Sequence, residues 1–138
     1  MFRLTAVTLI GALVFCSSAS AEDPCEGELP KEAGTVFTGK VKHIIDGDGL
    51  CVGFDDDEAT WIEVRTIDFS APELNTSEGH EAKRVLRDLT LGQDIACVTT
   101  PGRNGTTFSW DRVHATCEVD GVSLAAMMRG AGAPEGGR

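Results

Sequence analysis

The order of hydrophobic and polar positions divides the chain into short strands and two helices. A segment rich in β-branched residues predicts a first strand at 35–45. A second strand is predicted at 50–54, and the alternation of Trp61 or Ile62 with polar neighbours predicts a third at 60–69. The Asp46-Gly47-Asp48-Gly49 run predicts a turn after the first strand, and the acidic residues 55–59 predict a hairpin tip after the second. Strands joined by such short turns are typical of an antiparallel meander.

After the third strand the hydrophobic period changes from two residues to about 3.6. An amphipathic helix is predicted there, which Ser77 or Thr76 can cap and Gly92 ends. Its apolar face has the spacing i, i+3, i+4 and i+7 at Ala82, Val85, Leu86 and Leu89. A polar loop separates two further strands, the fourth at 94–100 and the fifth at 112–119. A short last helix runs from its cap at Ser123 through Arg129, and Gly130 ends it.

Five strands, one helix after the third strand and a short helix near the C-terminus predict a mainly β (α+β) domain. They fit a five-stranded barrel of the OB type. A flat α+β sandwich would give the same pattern, and the pattern alone leaves both architectures open.

The 138 residues suit one domain. A basic Arg3, an apolar run and small residues before Ala21 predict that residues 1–21 are a signal peptide, which removes Cys16. We expect an irregular N-terminal arm at 22–34, the folded domain at 35–130 and a mobile tail at 131–138. The predicted protein is secreted or periplasmic, monomeric and not bound to a membrane.

Charge and cysteine content narrow the possible functions. A formal net charge of -10 argues against a broad basic surface for nucleic acid, although it allows a small basic cleft or a cation that bridges carboxylates to phosphate.

The four remaining cysteines predict two disulfides with three possible pairings. They are Cys25, Cys51, Cys97 and Cys117. The sequence has no C-x-x-C motif and its histidines are scattered, which argues against zinc.

Three separate segments carry groups that phosphodiester hydrolysis requires. Asp48 lies in the first turn, Arg65 and Glu73 lie along and after the third strand, and Arg112 begins the fifth. The planar guanidinium of arginine matches two phosphate oxygens. A carboxylate can deprotonate water, and a divalent cation can bridge phosphate to protein oxygens. Each segment is a weak signal when it is taken alone.

Taken in order, the segments resemble the staphylococcal nuclease-like (thermonuclease) family. The matching stretches are DGDG at 46–49, VRTIDFSAPE at 64–73, GHEAKRVL at 79–86 and WDRVHATCEVDGVSL at 110–124. The resemblance covers about residues 35–133. It implies an OB-type barrel and an exported endonuclease that hydrolyses phosphodiester bonds of DNA or RNA with the assistance of calcium.

The resemblance also implies roles for individual residues. Asp48 looks like the calcium carboxylate, with Asp46 in a supporting role. Arg65 and Arg112 look like the two phosphate-binding arginines, and Glu73 looks like the residue that activates or orients water.

The second calcium carboxylate of the family falls on Ser70. Asp68 lies two residues earlier, on the same face of a regular strand, so both positions are candidate metal ligands. The chain has no tyrosine, so its grip on a nucleotide must differ from that of the family.

Two functions compete. The first is the divalent-metal-assisted nuclease, favoured by the presence of the arginines and Glu73. The second is a disulfide-stapled OB-fold module that binds without cleaving, favoured by Ser70 and the acidic surface.

Under either function the fourth and fifth strands should be antiparallel neighbours. We therefore expect a Cys97–Cys117 disulfide, which leaves Cys25 to pair with Cys51.

Overall fold

The computed structural model describes residues 23–136 and contains seven strands and two α-helices in that range. The predicted signal peptide lies outside the described residues. In chain order the elements are β1 (Val36–Asp46), β2 (Gly49–Gly53), a 3₁₀ turn (Glu58–Thr60), β3 (Ile62–Thr66), α1 (Ser77–Thr90), β4 (Asp94–Thr99), β5 (Phe108–Ser109), β6 (Arg112–Val119), β7 (Val122–Ser123) and α2 (Leu124–Gly130). The fifth predicted strand is β6, and two-residue strands flank it on either side.

Five of the strands close into a barrel. The antiparallel order is β3-β2-β1-β4-β6, and β6 then pairs in parallel with β3. The closing register joins Val64 to Val113 and Arg65 to His114. This seam is consistent with an OB-type barrel and excludes the flat sandwich.

The core fills the barrel and extends under both helices. Strand residues alternate between the interior and the outer surface, so that Val64 and Val113 point inward and are fully buried. The helix α1 covers the core with Ala82, Val85 and Leu86. Gly47, in the turn between β1 and β2, lies where a Cβ atom would approach Ala82 to 2.6 Å, which allows α1 to pack closely on the turn.

Two disulfides staple the fold, and they are the pairs expected from the sequence. Cys97 pairs with Cys117 between β4 and β6, where both side chains belong to the core. Cys25 pairs with Cys51 and ties the N-terminal arm to the outer side of β2, beside Trp61. Such cross-links fit an extracellular protein.

The arm itself follows an irregular path against the barrel. The amide of Gly27 donates to the carbonyl of Trp61 at 2.7 Å, and Thr99 Oγ1 donates to the carbonyl of Pro30 at 2.8 Å. These bonds hold the arm against the segment before β3 and against the end of β4.

Part of the predicted mobile tail makes defined contacts. Ala133 is buried, and the amide of Gly136 donates to the carbonyl of Ser70 at 2.7 Å. The Arg129 guanidinium bonds both Glu135 and the carbonyl of Asp68. Residues 131–136 therefore pack along the chain that follows β3. Over residues 23–136, no helix is long and apolar enough to cross a bilayer.

Candidate functional site

The turn between β1 and β2 places a buried carboxylate beside β3. Asp48 is only 3 % exposed, and its Oδ2 accepts from the Ala71 amide at 2.9 Å. The same oxygen lies 3.4 Å from Nη2 of Arg65. Asp46 supports the turn, because its Oδ1 accepts from the Asp48 amide at 3.1 Å. The turn thus anchors both Arg65 and the chain that leaves β3.

The surroundings of Asp48 disfavour its ionised form. The pKa of Asp48 is raised from 3.8 to about 6, first by burial and then by the negative charge of Asp46. The hydrogen bond from Ala71 and the charge of Arg65 act in the opposite direction. This carboxyl group therefore gains a proton in mildly acidic solution.

The two arginines predicted to bind phosphate line one open pocket of about 390 Å³ on the outer face of the barrel. The parallel seam between β3 and β6 brings Arg65 next to His114, and Arg112 lies two residues before His114 on the same face. Ser109 of β5 and residues of the neighbouring loops complete the lining: Ile67, Ser70, Gly102, Arg103 and Asn104. Among residues 23–136, three arginines and no carboxylate line this pocket, although the whole chain carries a net charge of -10.

A serine and a histidine meet inside the same pocket. Ser109 pairs with Arg112 across the β5–β6 hairpin, and its Oγ lies 2.9 Å from Nε2 of His114. Nδ1 of His114 lies 2.8 Å from the carbonyl oxygen of Thr106, which can only accept a hydrogen bond. Gly102 also lies against the ring near Nδ1, where a Cβ atom would come within 2.9 Å of that nitrogen. The imidazole is therefore held in one orientation.

Behind Arg112 lies a buried acid, Glu63, which is 5 % exposed. Its pKa is raised from 4.5 to about 8, first by burial, then by a hydrogen bond to Asp23 and by the negative charges of Asp23 and Asp111. The charge of Arg112 lowers this pKa. Within residues 23–136, Glu63 Oε2 and Arg112 Nε are both buried and have no hydrogen-bond partner.

The structure brings together some of the predicted site residues and separates others. Arg65, Ser70 and Arg112 line the pocket, and Asp48 contacts Arg65 from behind. Glu73 is exposed and does not line the pocket, and its carbonyl accepts from Thr76 at the start of α1.

The other candidate metal ligand, Asp68, follows a different path. Its carbonyl accepts from Arg129 of α2 at 2.6 Å, and the Asp68 side chain does not line the pocket. The bond from Arg129 ties Asp68 to α2.

The available donors do not fit the expected calcium site. Calcium takes six to eight oxygen ligands, commonly with several carboxylates. Here Asp48 Oδ2 is already engaged by Ala71 and Arg65, and Ser70 offers no carboxylate. Among the described residues, one group has three potential ligand atoms close together, and two of its members, Cys25 and Cys51, form a disulfide.

Sequence reasoning missed three features of this site, namely Ser109, His114 and Glu63. The stretch that contains Ser109 was predicted as loop, because β5 is too short to produce a periodic pattern. Glu63 looks like a solvent-facing position in an alternating strand, and the arm that covers it is distant in sequence. Strand alternation does point to His114. It lies between the apolar residues Val113 and Ala115, so it faces outward on the same side of the strand as Arg112.

No family model matches the chain, and a search among curated proteins found no match. The resemblance to thermonucleases therefore rests on the four motifs and their order, and it stays a prediction.

Proposed function

We propose that this protein is an exported phosphodiesterase of the thermonuclease type that acts on nucleic acid. The observation that carries the proposal is that Arg65 and Arg112, which are far apart in sequence, line one pocket. Two guanidinium groups on one open surface match the non-bridging oxygens of a phosphodiester, where negative charge accumulates during hydrolysis.

The charge distribution supports the same substrate class. A third arginine, Arg103, also lines the pocket, so cationic side chains gather at this one place on an acidic molecule. A small cluster of this kind suits a single polyanionic strand that enters one cleft better than general adhesion to duplex DNA. The Asp48 carboxylate restrains Arg65 from behind, which lowers the entropy lost when Arg65 binds a phosphate.

A binding module that does not cleave is the second candidate. It is favoured by Ser70, which replaces the family carboxylate, and by the position of Glu73 outside the pocket lining. Both candidates use the same arginines, so they differ in turnover and not in the binding site.

The test measures binding and cleavage separately with fluorescent single-stranded DNA and RNA oligonucleotides. Arg112→Ala should weaken binding by about tenfold or more, because a charge-assisted hydrogen bond contributes about 1.5–3 kcal/mol. It should lower the cleavage rate by about a hundredfold. Arg87→Ala removes the same charge from the exposed surface of α1 and is the matched control.

Each reaction is run with calcium, magnesium, manganese and a chelator. Binding without cleavage in all four conditions would favour the binding module. Equal behaviour of the Arg112 and Arg87 variants would refute the phosphate-binding pocket itself.

A further inference from the structure

We propose that Ser109 is a catalytic nucleophile that His114 activates as a general base; the identity of its phosphodiester substrate rests on the proposed function. The geometry that carries this inference is the 2.9 Å contact between Ser109 Oγ and His114 Nε2 in the pocket lined by Arg65 and Arg112. A serine, a base and cationic donors that converge on one open surface are the parts needed for covalent catalysis.

The tautomer of His114 follows from its second contact. Because the carbonyl oxygen of Thr106 can only accept, Nδ1 of the neutral imidazole must carry the proton. Nε2 is then unprotonated and can only accept, so the Ser109 hydroxyl is the donor. This is the arrangement in which a serine hydroxyl can lose its proton to a base that a third group orients.

The loop between β4 and β5 holds the imidazole in this orientation. The carbonyl of Thr106 also accepts from the Gly102 amide at 2.8 Å, so one oxygen joins the loop to the histidine. His114 is only 8 % exposed, while Ser109 is half-buried and reaches the pocket. The base is therefore shielded and the nucleophile is accessible.

The proposed reaction requires no reagent other than the phosphodiester and water. Ser109 Oγ attacks phosphorus while its proton moves to His114 Nε2. The phosphorus bond to the leaving alcohol breaks, and the imidazolium returns that proton to the leaving oxygen. The intermediate is a phosphodiester between Ser109 and the retained half of the substrate. Water attacks its phosphorus and gives a proton to His114 Nε2, the bond from phosphorus to Ser109 Oγ breaks, and His114 returns the proton to Oγ, which releases a phosphomonoester. Arg65 and Arg112 neutralise the non-bridging oxygens in both steps.

The first experiment measures the reactivity of Ser109 directly, without nucleic acid. The protein is incubated with an alkyl fluorophosphonate, and the modified residue is identified by peptide mass spectrometry. We expect one adduct on Ser109, none in Ser109→Ala, and labelling at least about a hundredfold slower in His114→Gln. Ser77→Ala is the control, because the Ser77 hydroxyl contacts Glu78 and no histidine.

The second experiment follows turnover of bis(4-nitrophenyl) phosphate by the same variants, with circular dichroism to confirm that each is folded. If His114→Gln does not fold, Ser109→Thr takes its place in the test. This variant retains a hydroxyl and should keep part of the activity. If Ser109→Ala turns over the substrate at the wild-type rate, Ser109 is not the nucleophile. The proposed phosphodiesterase function would be unaffected by that result. A Ser109 adduct in a protein that cleaves no nucleic acid would support the nucleophile and reject the proposed function. Absence of any Ser109 adduct in the folded wild type would overturn the inference.

Discussion

Replacing Glu63 with glutamine should change how the stability of the protein depends on pH. Glu63 is buried beside Asp23, Asp111 and Arg112, and its pKa is raised from 4.5 to about 8. A folded-state pKa above the unfolded value means that the native protein keeps a proton that the unfolded chain has released. The free energy of unfolding of the wild type should therefore fall as pH rises from about 4.5 to about 8, and this loss is complete above that range.

The size of the stability loss follows from the difference between the pKa values of Glu63 in the folded and unfolded states. One pKa unit corresponds to about 1.4 kcal/mol, so the full shift sets an upper limit of about 5 kcal/mol. Water that enters beside the arm at high pH relieves part of this cost, and we expect a measured difference of about 2–3 kcal/mol. Glutamine has nearly the shape of the protonated acid, and its amide can donate to Asp23 as the acid does. The variant should match the wild type at pH 5 and exceed its stability at pH 8.5.

Urea unfolding at half-unit steps from pH 5 to pH 8.5 measures this difference, under oxidising conditions that preserve both disulfides. Glu118→Gln provides the matched control, since Glu118 is exposed on β6. Parallel curves for the wild type and the Glu63 variant across the range would refute the reasoning, because they would show that Glu63 binds no extra proton in the native state.

Two further substitutions test the metal ligands and the packing of α1. Ser70→Asp supplies the carboxylate that residue 70 lacks, and it should produce calcium binding in calorimetric titration that the wild type does not show. Ser77→Asp adds the same charge outside the pocket and is the control. Equal calcium affinities in the two variants would contradict a ligand position at residue 70. Gly79→Ala places a Cβ atom against the backbone of Glu73 and should destabilise the protein by about 1–3 kcal/mol in thermal unfolding. Gly130→Ala, where the added atom meets open space, should not destabilise it, and similar losses in both variants would argue against a steric cause.

The long strands could be predicted from sequence because hydrophobic alternation sets them. The predicted fifth strand, 112–119, coincides with β6, and Thr76 and Ser123 cap the helices as the polar positions indicated. By contrast, β5 and β7 have two residues each, too few for any period to appear. Their formation depends on the neighbouring strand β6, which supplies the hydrogen-bond partners.

The site was less accessible to prediction, because its parts meet through tertiary structure. The pairing of Asp48 with Arg65 is local to the β2–β3 hairpin, and motif order was enough to single out both residues. The contact between Ser109 and His114 depends on a two-residue turn whose Trp110 adopts a φ of 57°, a conformation that its residue type does not favour. The burial of Glu63 requires the distant arm, which no periodic pattern could reveal.

The parallel seam between β3 and β6 also determines when, during folding, Arg65 and Arg112 come together. Val64 and Val113 are separated by roughly fifty residues, so their contact forms only after a large chain loop has closed. Arg65 and Arg112 flank this contact, and partial chains or early folding intermediates therefore do not present the two guanidinium groups together. Under the proposed function, anion binding at this surface would report on completion of the barrel, and a nascent chain would gain the arginine pair only when its last long strand is in place.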